Sequence, residues 1–277
     1  MHISYKIAHL VGKSILYLAT ELVTLLNGEK NRAKNWASIS QILYGSLLGN
    51  LKVLVRVNDL HIVMRPFSED ASIISDVIEQ GVYDTFHHPS PSSVVIDVGA
   101  HIGLFTLKVA KVLGKEGIVV AIEPYPENFK LLKSNIALFQ RRNKGSSPVL
   151  LPQNIALGSK VCFATLFLHK GFPGHSSITM KKEGPSITVP MTTLDNLIMN
   201  LGIKRVDFVK IDVEGSELEV LKGARKTLEA NDRKLSMEIH GEIMRKKVPF
   251  FLKALGYNIL QLKMEGNSYT SYLYAWK

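Results

Sequence analysis

The sequence predicts an α/β fold in which the strands of a mostly parallel sheet alternate with helices on both faces. From Ser93 onward, short β-rich runs alternate with amphipathic helical runs, which is the pattern of βαβ units. The first unit carries a glycine turn, Val95-Ile96-Asp97-Val98-Gly99-Ala100-His101-Ile102-Gly103, between a strand and a helix. The second unit ends its strand on an acid, Glu123, within Ala121-Ile122-Glu123-Pro124.

Taken in order, residues 1 to 50 read as a helical extension, broken by Asn27-Gly28-Glu29-Lys30-Asn31, where Gly and Asn supply helix-stop chemistry. Residues 51–277 form the main domain, led in by a hairpin over 52–65. In the hairpin, Val53, Val55 and Val57, then Ile62 and Met64, alternate around Asn58-Asp59, although that turn lacks the glycine a tight turn prefers. Ser72 to Gln80 is a short helix ended by Gly81. The sheet then takes Val94 to Ile96, Ile118 to Ile122, Val149 to Asn154 and Val206 to Ile211, with helices at Leu104 to Leu113 and Asn128 to Phe139. Val161 to Leu168 and Ile187 to Met191 are extra strands flanking a Gly-rich loop. A helix at Leu218 to Leu228, a strand at Leu235 to Ile239 and a helix at Val248 to Leu255 follow, and strands at Asn258 to Leu262 and Tyr269 to Trp276 complete the chain.

The composition bounds what such a domain does. With 46% hydrophobic and 21% charged residues over 277 positions, the chain buries a full core, and disordered and fibrous classes are excluded. Lys and Arg number 34 against 24 Asp and Glu, a net charge of +10. That balance suits anionic partners such as phosphorylated substrates, nucleic acid or a lipid surface, and equally an ordinary basic surface. A single cysteine, Cys162, excludes an internal disulfide framework and a Cys-rich zinc site, and fits a cytoplasmic location. The apolar run over 6–27 contains His9, Lys13 and Glu21 on one side and Val11, Ile15, Leu18 and Leu22 on the other. It reads as an amphipathic helix, not a span, packed on the main domain or a second subunit or resting peripherally on a membrane.

In the glycine turn, Gly99 permits a sharp backbone turn and close ligand approach, and Gly103 lets the helix pack near the strand. The helix start offers free N–H groups to an anionic group. The pattern is acid-x-Gly-x-x-x-Gly, with His101 where a dinucleotide fingerprint often has its middle glycine. A carboxylate at Asp97 suits a ligand with a cationic amine, such as S-adenosylmethionine. Glu123, 20 residues after Gly103, is placed to accept hydrogen bonds from ribose hydroxyls, a feature shared by nicotinamide dinucleotides and S-adenosylmethionine.

The ordered set of motifs resembles the class I S-adenosylmethionine-dependent methyltransferases, and more closely the FkbM family. It comprises Val95 to Thr106, Glu123-Pro124-Tyr125-Pro126-Glu127-Asn128-Phe129 with Leu132 and Asn135, and Asn154-Ile155-Ala156-Leu157-Gly158. Thr193-Leu194-Asp195, Asp207 to Gly215 with Glu217, Leu221-Lys222-Gly223-Ala224 and Met237-Glu238-Ile239-His240 complete it. The resemblance implies a Rossmann-like, seven-stranded sheet and places the cofactor on Asp97, Gly99, Ala100, His101, Gly103, Glu123, Pro124, Asn154, Ile155 and Asp212. Asn154 and Ile155 fall where the family holds adenine, and His101 stands where Asn is common.

Asp212 and Glu214 lie just past the fourth strand, on the sheet edge where open α/β folds bind ligands. Methyl transfer to oxygen is an in-line displacement, helped by holding both partners in line and by a base worth about 10²–10⁴-fold. His240 is the expected base, with Glu238 or Asp212 orienting it or holding a divalent ion. Asp212, Glu238 and His240 are adequate ligands for such an ion, but the sequence does not demand one; a buried structural Asp–His pair is the competing reading. Glu217 reads as a helix-entry acid. His175 and Ser176 lie in the loop over 171–177, within reach of substrate, while His87 and His88 receive no chemistry. The expected activity is O-methylation of a hydroxyl on a small molecule, glycan or glycolipid. The alternatives are an RNA methyltransferase, for which the Asn/Asp-Pro-Pro-aromatic turn of base-amine methylation is missing, a nicotinamide-dependent oxidoreductase, and a non-catalytic nucleoside binder.

Overall fold

A computed structural model of the chain describes residues 52–66, 68–169, 175–180, 184–229, 233–263 and 269–277. The helical extension over 1–50 and its amphipathic helix lie outside the described residues. Among the described residues, no helix is long and apolar enough to cross a membrane.

The antiparallel hairpin of β1 (Val53–Val57) and β2 (Leu60–Met64) pairs Val57 with Leu60. Its turn works without glycine because Asn58 takes a φ of 52°, a conformation Asn tolerates better than most residues. Next comes α1 (Asp70–Ile74), which continues as wider π-type turns over Ser75–Gln80 and stops at Gly81 (φ 64°).

The βαβ core follows: β3 (Val94–Val98), α2 (Leu104–Val112), β4 (Ile118–Ile122), α3 (Pro126–Arg142) and β5 (Val149–Gln153). A short β6 (Ala156–Leu157), β7 (Cys162–Phe167) and β8 (Ser186–Thr192) make a separate three-stranded sheet, so the two strands expected beside the Gly-rich loop pair with each other. The chain returns through α4 (Leu194–Asn200) to β9 (Phe208–Ile211), then α5 (Glu217–Gly223), α6 (Arg225–Glu229), β10 (Lys234–His240), α7 (Glu242–Ala254), β11 (Asn258–Lys263) and β12 (Thr270–Trp276).

The main sheet has seven strands in the order β5-β4-β3-β9-β10-β12-β11. All its neighbours are parallel except β12, which runs antiparallel to both β10 and β11. This is a Rossmann-like sheet whose order reverses between β3 and β9, where open α/β sheets form a ligand crevice.

Strand periodicity sorts the core into two faces. Val95 packs with Phe105, Leu107 and Leu132 on the α2/α3 side. Ile96 and Val98 join Val209, Ile211, Val220 and Leu252 on the α5/α7 side. The hairpin joins the first side through Leu60, Ile62 and Met64. Asn135 staples it there, accepting from the Val63 N–H at 2.7 Å and donating to the carbonyls of Val63 and Ile102.

Two helices differ from expectation. The single helix over 218–228 is divided after Gly223, where a Cβ would lie 2.0 Å from the Gly158 carbonyl oxygen; backbone contact, not propensity, decides that break. The helix expected from Val248 starts at Glu242 and carries Pro249 inside it, so it accepts the loss of one backbone hydrogen bond.

Candidate active site

A cavity of about 570 Å³ opens over the carboxyl ends of β3, β4, β9 and β10, within the range of small-molecule sites. Its walls carry Ala100, His101 and Glu123 at one end and Asp212, Glu238 and His240 at the other.

The first end is built by backbone. Gly99 turns at φ 77°, and a Cβ there would stand 1.8 Å from the Asp212 carbonyl oxygen, so the β3 and β9 loops touch main chain to main chain. The N–H groups of Gly99 and Ala100 bond the Ile122 carbonyl at 3.0 and 2.9 Å. His101 takes φ 53° and donates its backbone N–H to Glu123 Oε2 at 2.9 Å. Glu123 Oε1 accepts from the Tyr125 N–H at 2.9 Å. Each oxygen keeps a lone pair for a further donor, while burial pushes the carboxyl upward in pKa against the pull of His101 and these N–H groups. Pro124 and Ile155 supply apolar wall beside it. This end therefore fits a nucleoside whose hydroxyls donate.

Three expected cofactor contacts stand elsewhere. Asp97 is completely buried because it shares the strand face of Val95. It accepts from Thr106 Oγ1 at 2.6 Å and pairs with Lys210 Nζ at 3.3 Å, and it is not on the cavity wall. Gly103 caps α2 at φ 94°, where a Cβ would meet Leu132 at 2.7 Å; its part is helix packing. Asn154 is exposed and donates to the carbonyls of Glu123 and Pro124 at 2.8 and 3.1 Å, tying the ends of β4 and β5 behind the site.

The second end is built by side chains. Lys210, 3% exposed, bonds the Gly99 carbonyl at 2.7 Å and lies 3.6 Å from Asp212 Oδ2. Burial opposes its charge, but Asp97 and Asp212 raise its pKa. Tyr83 donates its hydroxyl toward Asp212 Oδ2 at 3.0 Å and Glu238 Oε2 at 2.9 Å. His240 presents Nε2 to Glu214 Oε1 and Glu238 Oε1 at 3.5 and 3.6 Å.

The group that orients His240 is neither Glu238 nor Asp212, as expected, but Glu217, whose Oε1 lies 2.7 Å from Nδ1. Glu217 also accepts from the Gly215 N–H at 2.9 Å, so its helix-entry role and its hold on His240 coincide. Burial works against a charged His240, yet the Glu217 hydrogen bond and the carboxylates of Glu214, Asp212 and Glu238 raise its pKa to about 10. Burial, then the Asp212 charge, raises Glu238 to about 7. His175 pairs through Nδ1 with Glu214 Oε1 at 2.9 Å, and with Ser176 it lies on the cavity wall.

Donor atoms of Asp212, Glu238 and His240 lie within 4.8 Å of one another, as do those of Glu69, Asp70 and His101. The second group is filled by Arg65, whose guanidinium bonds Asp70 at 2.7 and 3.0 Å and meets His101 Nε2 at 3.0 Å. In the first group, His240 Nε2 faces the carboxylates of Glu214 and Glu238 at 3.5 and 3.6 Å.

Sequence reasoning missed Lys210 and Tyr83. A lone lysine inside the apolar strand Phe208-Val209-Lys210-Ile211 was a usable signal, since a buried ammonium requires a partner. Tyr83 had none.

Strand order, the glycine turn and the acid that follows β4 define a class I, S-adenosylmethionine-dependent methyltransferase domain. The family model for the methyltransferase FkbM domain matches residues 97–259, and the chain belongs to that family. It is 30% identical over 155 residues to the hexuronic acid methyltransferase AglP of Haloferax volcanii, covering 56% of this chain and 59% of the relative. It is 29% identical over 174 residues to the 31-O-demethyl-FK506 methyltransferase FkbM of Streptomyces tacrolimicus, covering 54% and 66%. The crystal structure of a methyltransferase FkbM from Methylobacillus flagellatus shares the fold, with a TM-score of 0.52 at 21% identity over 70% of this chain and 46% of that one. The matches thus span less than two thirds of these relatives' lengths.

Proposed function

We propose that the protein transfers a methyl group from S-adenosylmethionine to a hydroxyl oxygen of a small molecule or a glycan-like acceptor. The observation that carries this reading is one continuous cavity joining the end at Glu123 to the acid–histidine end at Glu238. The name of one curated relative, which acts at a 31-O position, supports a hydroxyl acceptor, and that of another, which acts on a hexuronic acid, supports a glycan-like one.

S-adenosylmethionine supplies an electrophilic methyl group on a sulfonium. Glu123 would accept from the ribose hydroxyls, Pro124 and Ile155 would line the base, and the Gly99–Ala100–His101 turn would border the nucleoside. Asp97 acts indirectly, by fixing Lys210 and the start of α2.

We assign the base to Glu238, reversing the roles expected from sequence. A base must be unprotonated before it acts: the Glu217 hydrogen bond and the neighbouring carboxylates favour the cation of His240, while Glu238 stands on the cavity wall with Oε2 engaged by Tyr83 and Oε1 turned to the other side. Glu238 takes the hydroxyl proton as the oxygen–methyl bond forms and the sulfur–methyl bond breaks, with the electron pair leaving on sulfur. His240, as the cation, stands beside Glu238 Oε1 and keeps it facing the cavity.

Isothermal titration with S-adenosylhomocysteine and with NAD, followed by labelled-methyl transfer to a panel of uronic acids, polyols, macrolactone alcohols and RNA, tests this reading. Micromolar binding of the first ligand alone, with label fixed on a hydroxyl, is expected. Binding of NAD in its place, or label on RNA bases, overturns it.

A further inference from the structure

Tyr83 precedes the region matched by the family model, which begins at residue 97, yet it forms part of the cavity wall at the acid–histidine end. Its ring is held from three sides: Phe105 edge-on at 5.8 Å, Tyr272 edge-on at 5.9 Å, and Lys210 Nζ over its face at 5.0 Å. The hydroxyl reaches Asp212 Oδ2 and Glu238 Oε2, carboxylates delivered by two different strands. A phenol has one hydrogen to donate, and this one lies between two acids that would otherwise repel each other in a poorly solvated place. Burial and both acids hold the phenol well above its ordinary pKa, so the hydrogen stays on the oxygen.

The two oxygens of Glu238 are thereby differentiated. Oε2 is taken by Tyr83, and Oε1 faces His240 at 3.6 Å. We propose that Tyr83 is a positioning residue for methyl transfer: its hydroxyl pins Glu238 through Oε2 and spaces it from Asp212, leaving Oε1 aimed at the acceptor hydroxyl. When Oε1 takes the proton, Oε2 becomes the carbonyl oxygen of a neutral acid and still accepts from Tyr83, so the pin persists through the step. The segment before the matched domain is then part of the active site, not an appendage. This inference rests on the methyl-transfer reading with Glu238 as base.

Tyr83→Phe keeps the ring and removes the hydroxyl. With the acceptor found in the panel above, kcat is expected to fall about 10–100-fold, while KM for both substrates and the affinity for S-adenosylhomocysteine stay within about twofold, the pattern of an interaction that acts only in the transition state. In a Glu238→Gln background the same change should cost less than about twofold, because the residue it positions is gone. Should the unscreened acids destabilise the variant, Tyr83→Phe/Asp212→Asn is compared with Asp212→Asn alone, and the same loss is expected. Independently of any acceptor, crystal structures with S-adenosylhomocysteine should show the Glu238 carboxylate displaced in Tyr83→Phe. Wild-type kcat in the variant, or an unmoved Glu238, overturns the inference about Tyr83 alone. Failure of the wild-type protein to bind S-adenosylhomocysteine overturns the methyl-transfer reading beneath it.

Discussion

The two ends of the cavity are made of different materials. The Glu123 end presents a backbone turn and a carboxyl whose oxygens are each bound by a neighbouring main-chain N–H. The other end presents side chains of Tyr83, Asp212, Glu238 and His240, brought from three separate segments and placed by hydrogen bonds and an ion pair. Both ends rest on loops with a non-glycine residue at positive φ, His101 at 53° and Glu214 at 51°, and each such residue costs about 1–3 kcal/mol. The difference lies in what sets the chemistry. A turn performs the same task wherever its residues can adopt it, whereas a carboxylate becomes a base only through the charges and burial around it.

That contrast is broken most directly at Glu238. Glu238→Gln should lower kcat by about 10²–10⁴ while leaving S-adenosylhomocysteine affinity within about twofold, measured by single-turnover kinetics and calorimetry. In the wild type, kcat should rise with pH through about 7, as Glu238 ionises, and fall near about 10, as His240 loses its proton. The sign for stability is the same for His240: its folded-state pKa exceeds the ordinary 6.5, so its contribution is complete below about 6.5 and is lost as pH rises through about 10. A rate that is flat between pH 6 and 8 removes Glu238 from the role.

Asp97 sharpens the comparison because it belongs to neither end. It lies in the glycine-turn motif but serves the charge network through Lys210. Asp97→Ala leaves a buried ammonium short of its partner, a loss of about 3–5 kcal/mol for broken buried pairs. Denaturant unfolding should show that loss. A stable variant that has lost only S-adenosylhomocysteine binding would return Asp97 to the cofactor.

The sequence disclosed the two ends unequally for the same reason. The strands and most helices follow from hydrophobic period, and the Gly99 turn with Glu123 was legible because one continuous stretch builds each. The face of Asp97 was also legible in principle, since alternation along Val95-Ile96-Asp97-Val98 puts it with Val95, towards α2. Tyr83 was not legible: its meaning arises only when the loop after α1 meets the tips of β9 and β10. Nor was the carboxylate surrounding of His240, in which Glu214, Glu217 and Glu238 arrive together. The division of α5 from α6 required knowing that Gly223 touches Gly158.

The smallest effect is expected from metal removal. Asp212, Glu238 and His240 offer a donor set of divalent-ion size, but an ion there must displace the proton from His240, because only neutral imidazole ligates. Nδ1–H is held by Glu217 in either protonation state, whereas Nε2, which faces Glu214 and Glu238, carries the second proton of the cation, and it is this proton that an ion would replace. Dialysis against EDTA should therefore leave turnover within about twofold, and added Mg²⁺ or Mn²⁺ should not raise it. Loss of turnover on chelation, restored by Mn²⁺, would make His240 a ligand, and the acceptor end would then owe its chemistry to a bound ion instead of to its own protons.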